Sequence, residues 1–67
     1  MLIGEFNEYK GYRGRIKFSK EDNIYYGYIT NTDDYINYHG NTVEELYESF
    51  KEAVDDYIDF MKEVGKI

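Results

Sequence analysis

The sequence predicts an α+β domain in which a three-stranded antiparallel sheet, ordered as a β-meander, precedes one long C-terminal helix packed on one face. Three patterns lead there. Residues 12–18 alternate small or apolar side chains with basic ones. Residues 23–29, NIYYGYI, are dense in the β-branched and aromatic types that suit a pleated surface. From Val43 to Val64 apolar residues recur at steps of three and four, the repeat of a helix with one buried stripe.

In the first strand Tyr12, Gly14, Ile16 and Phe18 share one side, and Arg13, Arg15 and Lys17 share the other. SKEDN, residues 19–23, has the polar composition of a hairpin loop. The second strand carries apolar residues on both alternating sets, Ile24, Tyr26 and Tyr28 against Tyr25, Gly27 and Ile29. If Ile24 lies opposite Phe18, the first set faces the helix, and Tyr25 and Ile29 join Arg13 and Arg15 on the open face. A slip of one residue exchanges the two sets. One helix covers one side of a sheet, so aromatic surface is left over in either register. This predicts a homodimer that pairs through the sheet, by the open face or an exposed edge strand, with Arg13, Arg15, Tyr25 and Ile29 at the interface.

NTDD, residues 31–34, reads as a second turn, and residues 35–39 as a third, shorter strand. Thr42 and Glu45 form a T-x-x-E capping box at the start of the helix, and Gly65 suits the position just past its end. Val43, Leu46, Tyr47, Phe50, Ala53, Val54, Tyr57, Met61 and Val64 make the inward stripe. The expected core is Tyr12, Ile16, Phe18, Leu46, Phe50, Val54 and Tyr57.

At 67 residues the chain is expected to be a single domain, 1–67, that buries about 60% of the surface of its unfolded form and gains from a staple or a partner. It has no cysteine and one histidine, so neither a disulfide nor a zinc site of ordinary spacing supplies that staple. No basic segment leads into an apolar run and no stretch reaches the roughly 18 apolar residues of a membrane span, so a cytoplasmic protein is expected. Asp22, Asp33 and Asp34 fall in turns, Asp55 and Asp56 have no strand acid to join them, and Ser19, Ser49 and His39 lack partners. No catalytic residue, metal or cofactor is expected.

Between Val43 and Val64 stand eight acids and two bases, so the helix accounts for the net charge of −6. Five i,i+4 pairs on it are like-charged and destabilise an isolated helix by about 0.2–0.5 kcal/mol each. Such a face keeps a small protein soluble; it also suits docking of a basic protein, with Glu48, Glu52, Asp55, Asp56 and Asp59 as the contact set. Arg13, Arg15 and Lys17 beside Tyr25 resemble a nucleic-acid surface, but the nearby acidic helix argues against it, and no direct DNA binding is expected.

Three segments in order, YKGYRGRIKFS from Tyr9, EDNIYYGYI from Glu21 and YHGNTVEELYESFKEAVDDYIDF from Tyr38, give the chain a resemblance to the HicB antitoxin family in the short form of its N-terminal domain. The last segment looks like that family's strand, G-x-T/S-x-E-E-L turn and F-x-E-A-V-x-D-Y helix. The loop TNTDD lacks the Pro-rich turn of some members. The resemblance implies a degenerate ribonuclease H-like βββα fold without catalysis, and binding of a small basic ribonuclease of the HicA type. Many members add a C-terminal DNA-binding domain, which is not expected to follow Ile67 here. The alternative implied is an orphan HicB-like inhibitor or ligand-binding module, carried by a mobile element, with a different target.

Overall fold

All four strands lie within residues 2–40, and they pair as neighbours in chain order. The computed structural model describes residues 2–65, with the backbone alone for Leu2. It is an α+β fold with β1 (Leu2–Glu5), β2 (Arg15–Ser19), β3 (Ile24–Tyr28), β4 (Asn37–Gly40) and α1 (Val43–Glu63). The four strands form one antiparallel sheet in the order β1-β2-β3-β4.

The sheet has four strands rather than the three expected. β1 is short, contains Gly4, and is interrupted by a bulge between Leu2 and Gly4, so its alternation is hidden from a periodic reading. What creates it is the turn after it. Lys10 and Gly11 both have positive φ, 51° and 89°, the requirement of a two-residue hairpin loop matched to strand twist. Tyr9 and Tyr12 close that loop with reciprocal backbone bonds of 2.8 and 2.9 Å. Tyr12 thus belongs to a hairpin tip, and β2 begins at Arg15 instead of residue 12.

The β2–β3 loop fixes which aromatic residues are covered. Ser19 pairs with Ile24 and Phe18 with Tyr25, so four residues connect the strands, with Asn23 in the left-handed region at φ 53°. This is the slipped register. Tyr25, Gly27 and Ile29 lie on the helix side with Phe18, Ile16 and Gly14, whereas Ile24, Tyr26 and Tyr28 lie on the open side with Arg15 and Lys17. In β4, Tyr38 and Gly40 face the helix; Asn37 and His39 face away.

Helix α1 starts as its sequence predicts. The Thr42 hydroxyl accepts the Glu45 amide at 3.1 Å, and the Glu45 carboxylate reaches the Asn41 amide at 3.4 Å, one residue before the usual capping-box donor. Gly65, at φ 76°, donates to the Lys62 carbonyl and ends the helix. The core comprises Ile29, Tyr38, Leu46, Phe50 and Val54. Of the expected set, Leu46, Phe50 and Val54 are fully buried; Tyr12 and Ile16 are packed at their margin, Phe18 packs against Tyr25 with tilted rings 4.9 Å apart, and Tyr57 is half-buried against Tyr12.

Ile29 and Tyr38 were not expected inside, and Tyr38 explains two glycines. Its ring lies under the helix at 5% exposure, and its hydroxyl donates to the Arg15 carbonyl at 2.9 Å. A Cβ on Gly14 would overlap that hydroxyl and press on Phe50; a Cβ on Gly27 would overlap the Arg15 carbonyl oxygen. Glycine at 27 therefore lets two backbones and one tyrosine ring meet in the middle of NIYYGYI.

Candidate functional site

The helix stands on β4 and β3, and long aromatic side chains from the first hairpin bridge to it: Phe6 packs on Phe50 at 5.2 Å and on Tyr47 at 5.1 Å. Its far side is acidic. Glu44, Glu48, Glu52, Asp56, Asp59 and Glu63 follow one another at steps of three or four, and all are exposed. Glu48 is paired with Lys51 at 3.2 Å; among the described residues no ion pair engages Glu52, Asp56 or Asp59. Lys51 also lies 4.7 Å over the Tyr47 ring, and its bond to Glu48 raises its pKa above the ordinary lysine value.

Asp55 does not belong to this stripe. It turns toward the first hairpin, where Lys10 Nζ approaches to 2.8 Å and the Tyr9 hydroxyl donates at 3.2 Å. The Lys10 ammonium bonded to it, helped by Tyr9, holds the Asp55 carboxyl below its ordinary value, and the same bond raises Lys10. Asp55 is thus a tether between sequence positions 45 residues apart.

Two other predicted residues move. Tyr25 and Ile29, expected in one register on the open face, lie on the helix side, with Ile29 3% exposed. Arg13 is exposed before β2, and its amide donates to Asn31 Oδ1 at 2.8 Å while Asn31 donates to the Gly11 carbonyl at 2.7 Å. The open face is built instead around Tyr26 and Tyr28. Lys17 Nζ lies 5.0 Å over the Tyr28 ring, and Tyr35, 78% exposed, packs against the same ring at 6.1 Å. His39 is directly opposite Tyr26. Arg15 reaches Glu5 only at 4.0 Å, and its buried Nε–H has no acceptor.

No family model, curated protein or solved structure matches this chain. Besides these two faces, the molecule has a groove bordered by Tyr12, Thr32, Asp34, Tyr57 and Met61.

That groove runs from the β3–β4 loop to the end of the helix. The Tyr57 hydroxyl donates to Asp34 at 2.8 Å and lies 2.8 Å from the Thr32 hydroxyl, so Asp34 is a loop anchor. Asp22 stays in its turn, within 3.5 Å of the Ser19 hydroxyl. Among the described residues no group of three or more histidines or carboxylates is placed to hold a metal ion, and no helix is long and apolar enough to cross a membrane. Sequence reasoning missed Tyr26, Tyr28, Tyr35 and His39 as one surface. The signal for them was the four-residue spacing of the β2–β3 loop with Asn before Ile24, which selects the register.

Proposed function

We propose that this chain is a non-enzymatic, antitoxin-like binding protein that sequesters a small basic nucleic-acid-processing protein on the outer face of α1. The observation carrying the proposal is the acidic stripe of Glu48, Glu52, Asp56 and Asp59, turned away from the core and mostly without compensating bases. Carboxylates at i,i+4 spacing oppose the helix they stand on, and a complementary basic surface relieves that repulsion on docking. The field of such a stripe also speeds encounter with a basic partner. The HicB-like segments point to the same partner class, a HicA-type ribonuclease, and a cytoplasmic location goes with it.

A homodimer is part of the same proposal, and of the two routes, open face or edge strand, we propose the edge. β1 presents a bulged edge, which resists strand addition, whereas β4 is unbroken and contains no lysine, arginine, carboxylate or proline. Two copies pairing along β4 would continue the sheet about a two-fold axis.

Co-expression with the product of an adjacent open reading frame tests the function. The wild-type chain should restore growth against a basic ribonuclease encoded there. The variant with Glu52, Asp56 and Asp59 all changed to Lys should fold and fail to do so. A wild-type chain that does not rescue, or a charge-reversed one that rescues as well, refutes the docking reading; capture of a different basic target would favour the orphan inhibitor.

A further inference from the structure

The open face of the sheet is chemically unlike the rest of the molecule. Its two central strands present Arg15 and Lys17 beside Tyr26 and Tyr28, with Tyr35 folded onto Tyr28 and His39 across from Tyr26. The carboxylates on this side, Glu5, Asp22, Asp33 and the Tyr57-bonded Asp34, stand at its margins. Among the described residues neither cation is held by a short ion pair: Lys17 rests on a ring, and Arg15 is 4.0 Å from Glu5, with its buried Nε–H lacking an acceptor. Flat rings next to unspent cations on a four-stranded antiparallel sheet are the elements by which extended polynucleotides are held, bases on rings and phosphates on cations.

We infer that this face binds single-stranded nucleic acid, with bases stacking on Tyr26 and on the Tyr28–Tyr35 pair and phosphates taken by Lys17 and Arg15. Two magnitudes favour this occupant. Four strands about 4.8 Å apart and four or five residues long give a face of roughly 300 Å² in plan, small beside the roughly 800 Å² of accessible surface that each partner buries in a stable protein interface. A strand of three or four nucleotides needs no more. The acidic helix does not forbid it. Its carboxylates lie on the far side of the helix, roughly 15 Å or more from the sheet surface, beyond the Debye length of about 8 Å in physiological salt.

The test is fluorescence anisotropy with a fluorescein-labelled oligonucleotide of mixed sequence, presented as single-stranded RNA, as single-stranded DNA and as the corresponding duplexes. One or both single strands should bind at least about tenfold more tightly than either duplex, and the RNA and DNA arms identify the natural class. Tyr26→Leu keeps the apolar body without the flat ring and should weaken binding about tenfold. With two phosphate contacts, affinity should drop about sevenfold between 50 and 200 mM salt, and Lys17→Gln should flatten that dependence by about one contact. Circular dichroism checks that both variants fold. Absence of saturable binding up to about 100 µM, the ceiling of ordinary non-specific affinity, overturns the inference. So does equal binding of duplex, an unaffected Tyr26→Leu variant, or a labelled polyglutamate peptide that binds as tightly. Sedimentation showing a dimer that Tyr26→Leu dissolves would assign the face to a second copy and overturn it likewise.

Discussion

Removing one oxygen atom, by Tyr38→Phe, tests the account of how sheet and helix are locked together. The Tyr38 hydroxyl lies beneath the helix, donates to the Arg15 carbonyl at 2.9 Å, and occupies the space that a side chain on Gly14 would fill. Phenylalanine keeps the ring and its packing on Phe50 at 5.4 Å, so the change isolates the hydroxyl. A net hydrogen bond contributes about 1 kcal/mol and a buried acceptor left without its donor costs more, so the loss should be about 1–2 kcal/mol. In a domain of this size that lowers the melting temperature by about 4–16 °C, and the urea midpoint should fall without a change in slope. Gly14→Ala pushes on the same hydroxyl, and the two substitutions should be non-additive by about 0.5 kcal/mol or more in a double-mutant cycle. Alkaline pH offers an independent reading. Burial raises the Tyr38 phenol above the ordinary tyrosine value, so the unfolded chain releases this proton first. Stability from this group is intact below about pH 10 and is lost as pH rises beyond it, at up to about 1.4 kcal/mol per pH unit. Tyr38→Phe removes that part of the alkaline limb. A variant as stable as wild type at pH 7, with the same loss above pH 10, would refute the reasoning.

Phe50 is fully buried among Phe6, Tyr9, Tyr38 and Tyr47, and Phe50→Ala should cost about 3–5 kcal/mol, much or all of the stability of a domain this small; near-UV circular dichroism at 25 °C should show the tertiary signal lost. Asp55 has its pKa lowered by Lys10, so the tether it makes is present above pH 4 and is lost as pH falls through the folded value; acid denaturation of Asp55→Asn should lack that contribution, with amide exchange at the 9–12 hairpin already fast at pH 7. Glu52→Lys replaces two repulsive i,i+4 pairs with attractive ones, and should stabilise the fold by about 1 kcal/mol at low ionic strength and by less in high salt, measured by urea titration.

Local signals were legible and distant ones were not. The helix spans Val43–Glu63 against an expected 43–64, because capping by Thr42 and Glu45 and the Gly65 stop are encoded within a few residues. β1 escaped notice because its partner strand, not its own alternation, makes it a strand. The face carried by NIYYGYI turned on one residue of loop length: pairing Ser19 with Ile24 sends Tyr25 and Ile29 inward, and Tyr26 and Tyr28 outward. Composition announced the acidic stripe, but the diversion of Asp55 to Lys10 and Tyr9 is a long-range event without a local signature.

Strand order that matches chain order also shapes the route to the native state. β2, β3 and β4 join through loops of four and eight residues and α1 follows after two, so each closure spans little chain and confines little entropy. β1 and the tip of the first hairpin reach the helix through contacts 40 or more positions apart, among them Lys10 to Asp55, Tyr9 to Phe50, Tyr12 to Tyr57 and Phe6 to Phe50. The expected nucleus is therefore β2–β3–β4 with the N-terminal half of α1, and the hairpin latches on afterwards. Truncating Phe6 should quicken unfolding several-fold and leave the refolding limb of the chevron nearly unmoved; a slowed refolding limb would place the latch before the nucleus.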